Sequence, residues 1–227
     1  MVNPKILCLM PCLPDDFNEA TVRSVLNQTV PVTMIISLPE RVNGSTVAAK
    51  LSKVLNNGLN VVDLNFFDYI LRVDSDVVLP SDFIEKNLQG EPDGVGDAGY
   101  AMLLKVQSFV KVLNARFHPL SDDSYTRYKM LMAGCKWRDY TVEPELLRQA
   151  GKSYNAKYFL QRGELMYALG YEPIHVLFSF LWEWRNILAV FGYFKALFNR
   201  MGKLDVASFV WRSQIHKLLM REEVAGQ

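Results

Sequence analysis

Tyr69-Ile70-Leu71-Arg72-Val73-Asp74-Ser75-Asp76-Val77-Val78-Leu79-Pro80 is the stretch on which the reading of this chain turns. A mostly apolar, β-branched run that ends in two acids one residue apart reads as a buried strand carrying both carboxylates to its C-terminal edge. Open α/β sheets bind their ligands at that edge. Two carboxylates on alternate residues repel unless a cation, a shared proton or solvent lies between them. Mg²⁺ and Mn²⁺ take one or two protein carboxylates and leave other positions to phosphate oxygens, so a divalent cation is the natural partner. The competing reading is an Asp-rich turn that caps the helix suggested by Pro80-Ser81-Asp82-Phe83-Ile84.

The chain has 227 residues, enough for one substantial α/β domain or for one domain with an appendage. Half of it is apolar and only 22% is charged, which excludes global disorder. A net charge of +1 gives no electrostatic case for nucleic acid as a partner. Cys8, Cys12 and Cys135 form an odd set without zinc-like spacing, which fits a reducing compartment and idle thiols. Met1 to Lys5 precede only a short apolar stretch, so no secretory signal is visible and a cytoplasmic N-terminal domain is expected.

Outward from the acidic pair, Lys5 to Met10 reads as a first strand, broken by Pro11-Cys12-Leu13-Pro14-Asp15-Asp16. Phe17 to Gln28 places Ala20, Val22, Val25 and Leu26 at helical spacing, and Pro31 follows its end. Val32 to Ser37 reads as a second strand. The Asn43-Gly44-Ser45-Thr46 turn can cap a helix from Val47 to Leu55 before the strand that ends at Asp74. Strands alternating with helices predict a mainly parallel, doubly wound sheet.

This order of features resembles the family 2 glycosyltransferases, whose nucleotide-sugar-binding fold is called GT-A. Pro11-Cys12-Leu13-Pro14 looks like the family's turn after the first strand, and Ser24-Val25-Leu26-Asn27-Gln28-Thr29 like the end of its next helix. Asn43-Gly44-Ser45-Thr46 is similar to its Asp-Gly-Ser-Thr turn, and Asp74-Ser75-Asp76 to its DXD motif. Asp122-Asp123, about ten residues before Ala133-Gly134, resembles its Glu-Asp pair. Leu13-Pro14 and Asn43 depart from the family's Tyr-Asn and Asp. The resemblance implies that Pro11, Glu40, Asn43 and Asp74 hold the donor nucleotide, and that Asp76 and Asp74 serve Mn²⁺ or Mg²⁺.

Transfer from a nucleotide sugar expels a diphosphate, whose developing charge needs a bridging cation. Asp76, at the outer end of the strand, is the better ligand; Asp74 lies deeper and reaches the ribose or shares the metal through water. In-line displacement inverts the anomeric centre and needs a base on the opposite face of the sugar, for which Asp123 is the candidate. The plain alternative is that Ser121-Asp122-Asp123-Ser124 only caps the helix from Tyr125 to Gly134. Lys129 stands near where the family often has Arg, or is simply solvated. Gly94, Gly96 and Gly99 either line the sugar pocket or form a surface loop. His118 reads as structural. Some GT-A enzymes use a late histidine as a further metal ligand, which makes His175 a candidate.

The C-terminal third changes character. Ile174 to Trp182 and Ile187 to Phe198 are apolar, yet each is shorter than the ~20 residues a spanning helix needs, and Glu183 and Arg185 fall between them. Beyond them bases outnumber acids, a pattern of interfacial helices at the cytoplasmic membrane face. The alternative is that these helices pack on the domain or form a homodimer. The sequence is therefore read as an α/β, GT-A-type catalytic domain over 1–173 with a helical, aromatic and basic segment over 174–227. The expected activity is inverting, metal-dependent transfer from a nucleotide sugar to a hydroxyl acceptor, with a lipid-linked or cell-surface glycan favoured by the tail. Two other readings stand beside it. One is a haloacid-dehalogenase-like phosphatase using Asp74 and Asp76, although that motif normally sits on the first strand. The other is a membrane-associated scaffold that kept the fold and lost turnover.

Overall fold

The computed structural model describes residues 3–12, 17–37, 46–96, 99–147, 155–182 and 184–215. They form two compact units, Met1–Ala150 and Gly151–Gln227.

The first unit is built on β1 (Ile6–Pro11), all of it buried. An unbroken apolar run suits a strand covered on both faces. After it come α1 (Glu19–Leu26), β2 (Val32–Ser37), α2 (Val47–Asn60), β3 (Tyr69–Val73), β4 (Val77–Val78) and α3 (Phe83–Asn87). The unit continues through β5 (Gly94–Val95), β6 (Ala101–Lys105), α4 (Val106–Leu113), α5 (Ser124–Met132), β7 (Trp137–Arg138) and β8 (Glu145–Leu146). Side chains cap the early helices: Asn18 accepts from Ala20 N–H and Thr46 from Ala49 N–H.

The main sheet has the order β2-β1-β3-β6-β5-β7, and β4 and β8 form a small second sheet. β1 runs parallel to β2 and β3, with Leu9 opposite Arg72. β6 alone runs the other way, pairing Ala101 with Val73, and β5 and β7 return to the common direction. The mainly parallel α/β sheet expected from the alternation of strands and helices is thus present, with one reversed strand.

Alternation along the strands divides the core between two faces. Ile6, Cys8, Met10, Leu71 and Val73 pack with Val25 of α1 and with Phe83 and Ile84 of α3. Leu7, Leu9, Ile70, Met102 and Leu104 pack with Leu55 of α2, Phe109 of α4 and Met130 of α5. Arg72 shares the strand parity of Ile70, so its guanidinium enters the second, apolar layer.

The second unit holds α6 (Ala156–Ala168), α7 (Pro173–Trp182), a single 3₁₀ turn at Trp184–Asn186, α8 (Ile187–Phe198) and α9 over 207–215. The compact units divide at 150, and α6 groups with the helices that follow it. Two glycines explain the grouping: a Cβ on Gly163 would lie 1.8 Å from the carbonyl oxygen of Ala189, and one on Gly192 would lie 2.0 Å from that of Leu160. The helix axes therefore approach as closely as backbone contact allows. Tyr193 Oη donates to the Tyr171 carbonyl at 2.8 Å, and Lys195 pairs with Glu164 at 2.8 Å on the surface.

Candidate active site

The Asp74-Ser75-Asp76 turn connects β3 to β4 at the C-terminal edge of the parallel strands. Helix α1 holds it from behind. Thr21 Oγ1 donates to the Ser75 carbonyl at 2.9 Å, and Ser24 Oγ accepts from Leu79 N–H at 3.1 Å. Gln28 donates its amide to the Pro80 carbonyl at 2.7 Å and accepts from Ile84 N–H at 3.1 Å, and Thr29 N–H reaches Ser81 O at 2.9 Å. The sequence motif at the end of α1 is therefore a clamp on residues 75–84. On the other side, Asp74 N–H donates to the Tyr100 carbonyl at 2.9 Å, and Leu147 N–H donates to that of Asp76 at 3.0 Å.

Asp122 and Asp123 open α5 at the same edge. Asp123 is the N-cap, its Oδ1 accepting from Ser124 N–H and, at 2.7 Å, from Ser121 Oγ. Its Oδ2 lies over Gly99, where a Cβ would come within 2.4 Å. Asp122 is buried and turns inward to Arg72, which donates from Nε to Oδ2 at 3.0 Å and brings Nη2 into an ion pair with the same oxygen, also at 3.0 Å. Arg72 Nη1 forms an ion pair with Asp74 Oδ1 at 3.0 Å. The guanidinium is only 2% exposed, so its charge is met by the acids around it rather than by water. Arg72 is the functional residue the sequence reading missed, and its signal was a single base inside an otherwise apolar strand.

Packing of the surrounding protein raises the Asp74 carboxyl from the ordinary 3.8 to about 7; Arg72 opposes the rise, and Asp122, Asp76 and Asp123 add to it. The side chain nevertheless keeps 32% of its surface open to solvent, which is the side from which a cation could approach. Burial also raises Asp122, again against the pull of Arg72.

The other expected site residues fall in several places. Pro11 ends β1 opposite Ser37. Glu40, Asn43 and the Leu13-Pro14 turn lie outside the described residues. His175 is on α7 of the second unit, where its backbone N–H donates to Glu172 at 2.9 Å and its ring lies 5.7 Å from that of Tyr171. Among the described residues, no group of three His, Cys, Asp or Glu side chains is placed to hold a metal ion on its own. His118 is structural as read, stacking on Tyr125 with ring centroids 4.1 Å apart. Of the three loop glycines, Gly94 and Gly96 serve packing, the first under the Trp137 ring and the second accepting from Trp137 Nε1 at 2.9 Å. Only Gly99 faces an acid of the site.

The sequence matches no protein-family model and no curated protein sequence. The fold does have solved counterparts. It is similar to that of the mannosyltransferase PcManGT from Pyrobaculum calidifontis, solved in complex with GDP-Man and Mn²⁺. The TM-score is 0.56 at 15% identity, over 96% of this chain and 81% of that one. The fold the two share is of the GT-A type. The β1,4-galactosyltransferase 7 of Drosophila, in complex with manganese, UDP-Gal and xylobiose, gives 0.44 at 14% identity over 68% of this chain and 78% of that one. TarS of S. aureus, in complex with UDP, gives 0.43 at 11% identity over 72% and 64%.

The Asp74 shift has a consequence for stability that needs no substrate. Between about pH 4 and 7 the folded protein holds a proton on Asp74 that the unfolded chain has released, so the stabilisation is present at the acid end and lost as pH rises through the folded value. The melting temperature of metal-free wild type, relative to Asp74→Asn, is expected to fall steadily across that interval. A difference that stays flat or grows with pH contradicts the environment described for Asp74.

Proposed function

We propose that the protein is an inverting, metal-dependent glycosyltransferase that moves a sugar from a nucleotide-sugar donor to a hydroxyl acceptor. The observation that carries this reading is the meeting of two acidic turns, Asp74–Asp76 and Asp122–Asp123, at one edge of the sheet through a shared arginine. The fold shared with a mannosyltransferase that was solved with GDP-Man and Mn²⁺ supports it.

The acids at this edge do not make a cage of protein ligands, but they fit a hard cation that takes one or two carboxylates and fills its shell with diphosphate oxygens and water. Asp76 would hold Mn²⁺ or Mg²⁺, with Asp74 behind it toward the ribose or a bridging water. When bound, the ion would neutralise the charge that develops on the departing diphosphate. This set does not call on His175. Pro11 is proposed to flank the nucleotide from the end of β1, with Glu40 and Asn43 after β2.

Asp123 takes the proton of the acceptor hydroxyl. Its cap bonds occupy Oδ1 and fix the carboxylate plane, and Oδ2 is the oxygen presented above Gly99. Attack from that side, opposite the leaving diphosphate, inverts the anomeric carbon.

The second unit supports a lipid-linked or cell-surface glycan as acceptor. Ile174, Phe178 and Leu181 of α7 are exposed at helical spacing, and Trp184 (75%), Phe191 (63%) and Phe198 (80%) are exposed in the same unit. Lys195, Arg200, Lys203 and Arg212 supply positive charge in the same unit. No helix among the described residues is long and apolar enough to cross a membrane. An interfacial position on an anionic bilayer uses both features.

Two experiments test the reading. Asp76→Ala is expected to abolish Mn²⁺-dependent binding of GDP- or UDP-sugars in a folded protein, whereas Asp123→Asn keeps that binding and loses transfer by about 100-fold or more. Undiminished donor affinity in the first variant, or near wild-type transfer in the second, would remove the corresponding role. For the second unit, flotation with phosphatidylserine-containing vesicles at low salt is expected to carry the protein upward, and replacing Trp184, Phe191 and Phe198 together by Ser is expected to leave it behind. A wild-type protein that ignores the vesicles returns the apolar surface to helix packing or to a homodimer.

A further inference from the structure

We infer that Arg72 is a positioning residue that sets the separation between the two acidic turns, so that the cation-binding acids and the base face one sugar carbon. The chemical part of this inference rests on the glycosyltransferase reading. The mechanical part rests on geometry alone.

Arg72 and Asp122 are 50 residues apart in the chain, and the strand end and the helix start that carry the acids have no sequence reason to keep a fixed distance. The guanidinium supplies one. Its Nε and Nη2 side grips Asp122 Oδ2, and its Nη1 corner lies against Asp74 Oδ1, each at 3.0 Å. The planar guanidinium fixes the direction to Asp122 through the Nε hydrogen bond, while Nη1, which makes no hydrogen bond, holds Asp74 at 3.0 Å by charge alone; a lysine ammonium is a point charge on a flexible stem and cannot face both acids in this way. Both grips then pass outward along rigid links. From Asp74 the chain runs two residues to Asp76, with its backbone fastened to Tyr100 and its turn to Thr21. From Asp122 it runs one residue to Asp123, whose carboxylate the helix cap holds.

Simple fold stabilisation is a poor explanation for the arrangement. A buried ion pair is often replaceable by apolar residues of similar volume without loss of stability. The surroundings here would accept such a replacement, since Arg72 shares its layer with Ile70, Leu9 and Met102. An apolar pair would fill the space but would leave Asp74 untied and the two turns independent. Arg72 has no route to substrate, being only 2% exposed, and so acts through the acids it holds.

The test compares wild type with Arg72→Lys, Asp122→Leu and the double variant Arg72→Met with Asp122→Leu. Melting temperature, amide hydrogen exchange, Mn²⁺-dependent GDP binding and transfer kinetics are read for each. In Arg72→Lys, exchange is expected to quicken at both 74–77 and 121–124, while kcat falls about 100-fold and the donor KM changes far less. The apolar double variant is expected to regain the melting temperature lost in Asp122→Leu without regaining kcat or exchange protection at 74–77. Turnover that returns together with stability in the double variant would reduce Arg72 to a packing role and overturn the inference. So would quickened exchange confined to 121–124 in Arg72→Lys. If wild type binds no GDP or UDP nucleotide with Mn²⁺ and transfers no sugar, the enzymatic reading falls, and the exchange result by itself upholds or overturns the tie.

Discussion

A guanidinium in an apolar layer is the constraint around which the first unit is arranged. Moving Arg72 out of water costs several kcal/mol in effective terms, and the cost is offset only when its charge is met at close range. Asp74 and Asp122 meet it at 3.0 Å each, from the end of β3 and the start of α5. The requirement that both acids reach one arginine fixes where β3 stops and where α5 begins. It also concentrates negative charge at the sheet edge. Asp122, Asp76 and Asp123 all act on Asp74 there, and its carboxyl is raised despite the arginine beside it. Negative charge gathered at an edge that is open to solvent on one side is the feature on which the proposed cation site rests.

The frame around this core is held by backbone recognition more than by charge. Thr21 and Ser24 on α1, and Gln28 just past its end, satisfy carbonyls and amides of the acidic turn and the segment after it, and α1 packs its apolar residues under the sheet. Loss of one such partner leaves a buried polar group unsatisfied, at a cost of roughly 1–3 kcal/mol. The turn can therefore be both irregular and rigid, which a ligand-binding turn requires.

The strand carrying the acidic pair, the parallel β1–β2–β3 core and the capped start of α5 were legible because each has a local signature: a two-residue acidic spacing, an unbroken apolar run, a Ser/Asp cluster before a helix. Arg72 was not legible in its role, since its meaning lies in Asp122, far along the chain. Ala101 to Leu113 reads as one apolar stretch, yet it is a strand followed without a loop by a helix; periodicity over five residues cannot separate the two, and the switch is made by Val106 N–H bonding to Asp68 O at 2.8 Å. The two-residue strands β5, β7 and β8 exist only through tertiary pairing. The grouping of α6 with the later helices was hidden for a related reason, because its close approach to α8 depends on Gly163 lying against the Ala189 backbone and Gly192 against that of Leu160, and neither glycine marks a domain edge in sequence.

Anomalous diffraction from crystals grown with Mn²⁺ and GDP tests the central claim most directly, namely that these acids form a cation and diphosphate site. One manganese peak is expected within about 2–2.5 Å of an Asp76 carboxylate oxygen, shared with diphosphate oxygens, with Asp74 still paired to Arg72. GDP bound with no manganese beside Asp76, or manganese bound at another part of the chain, would contradict it.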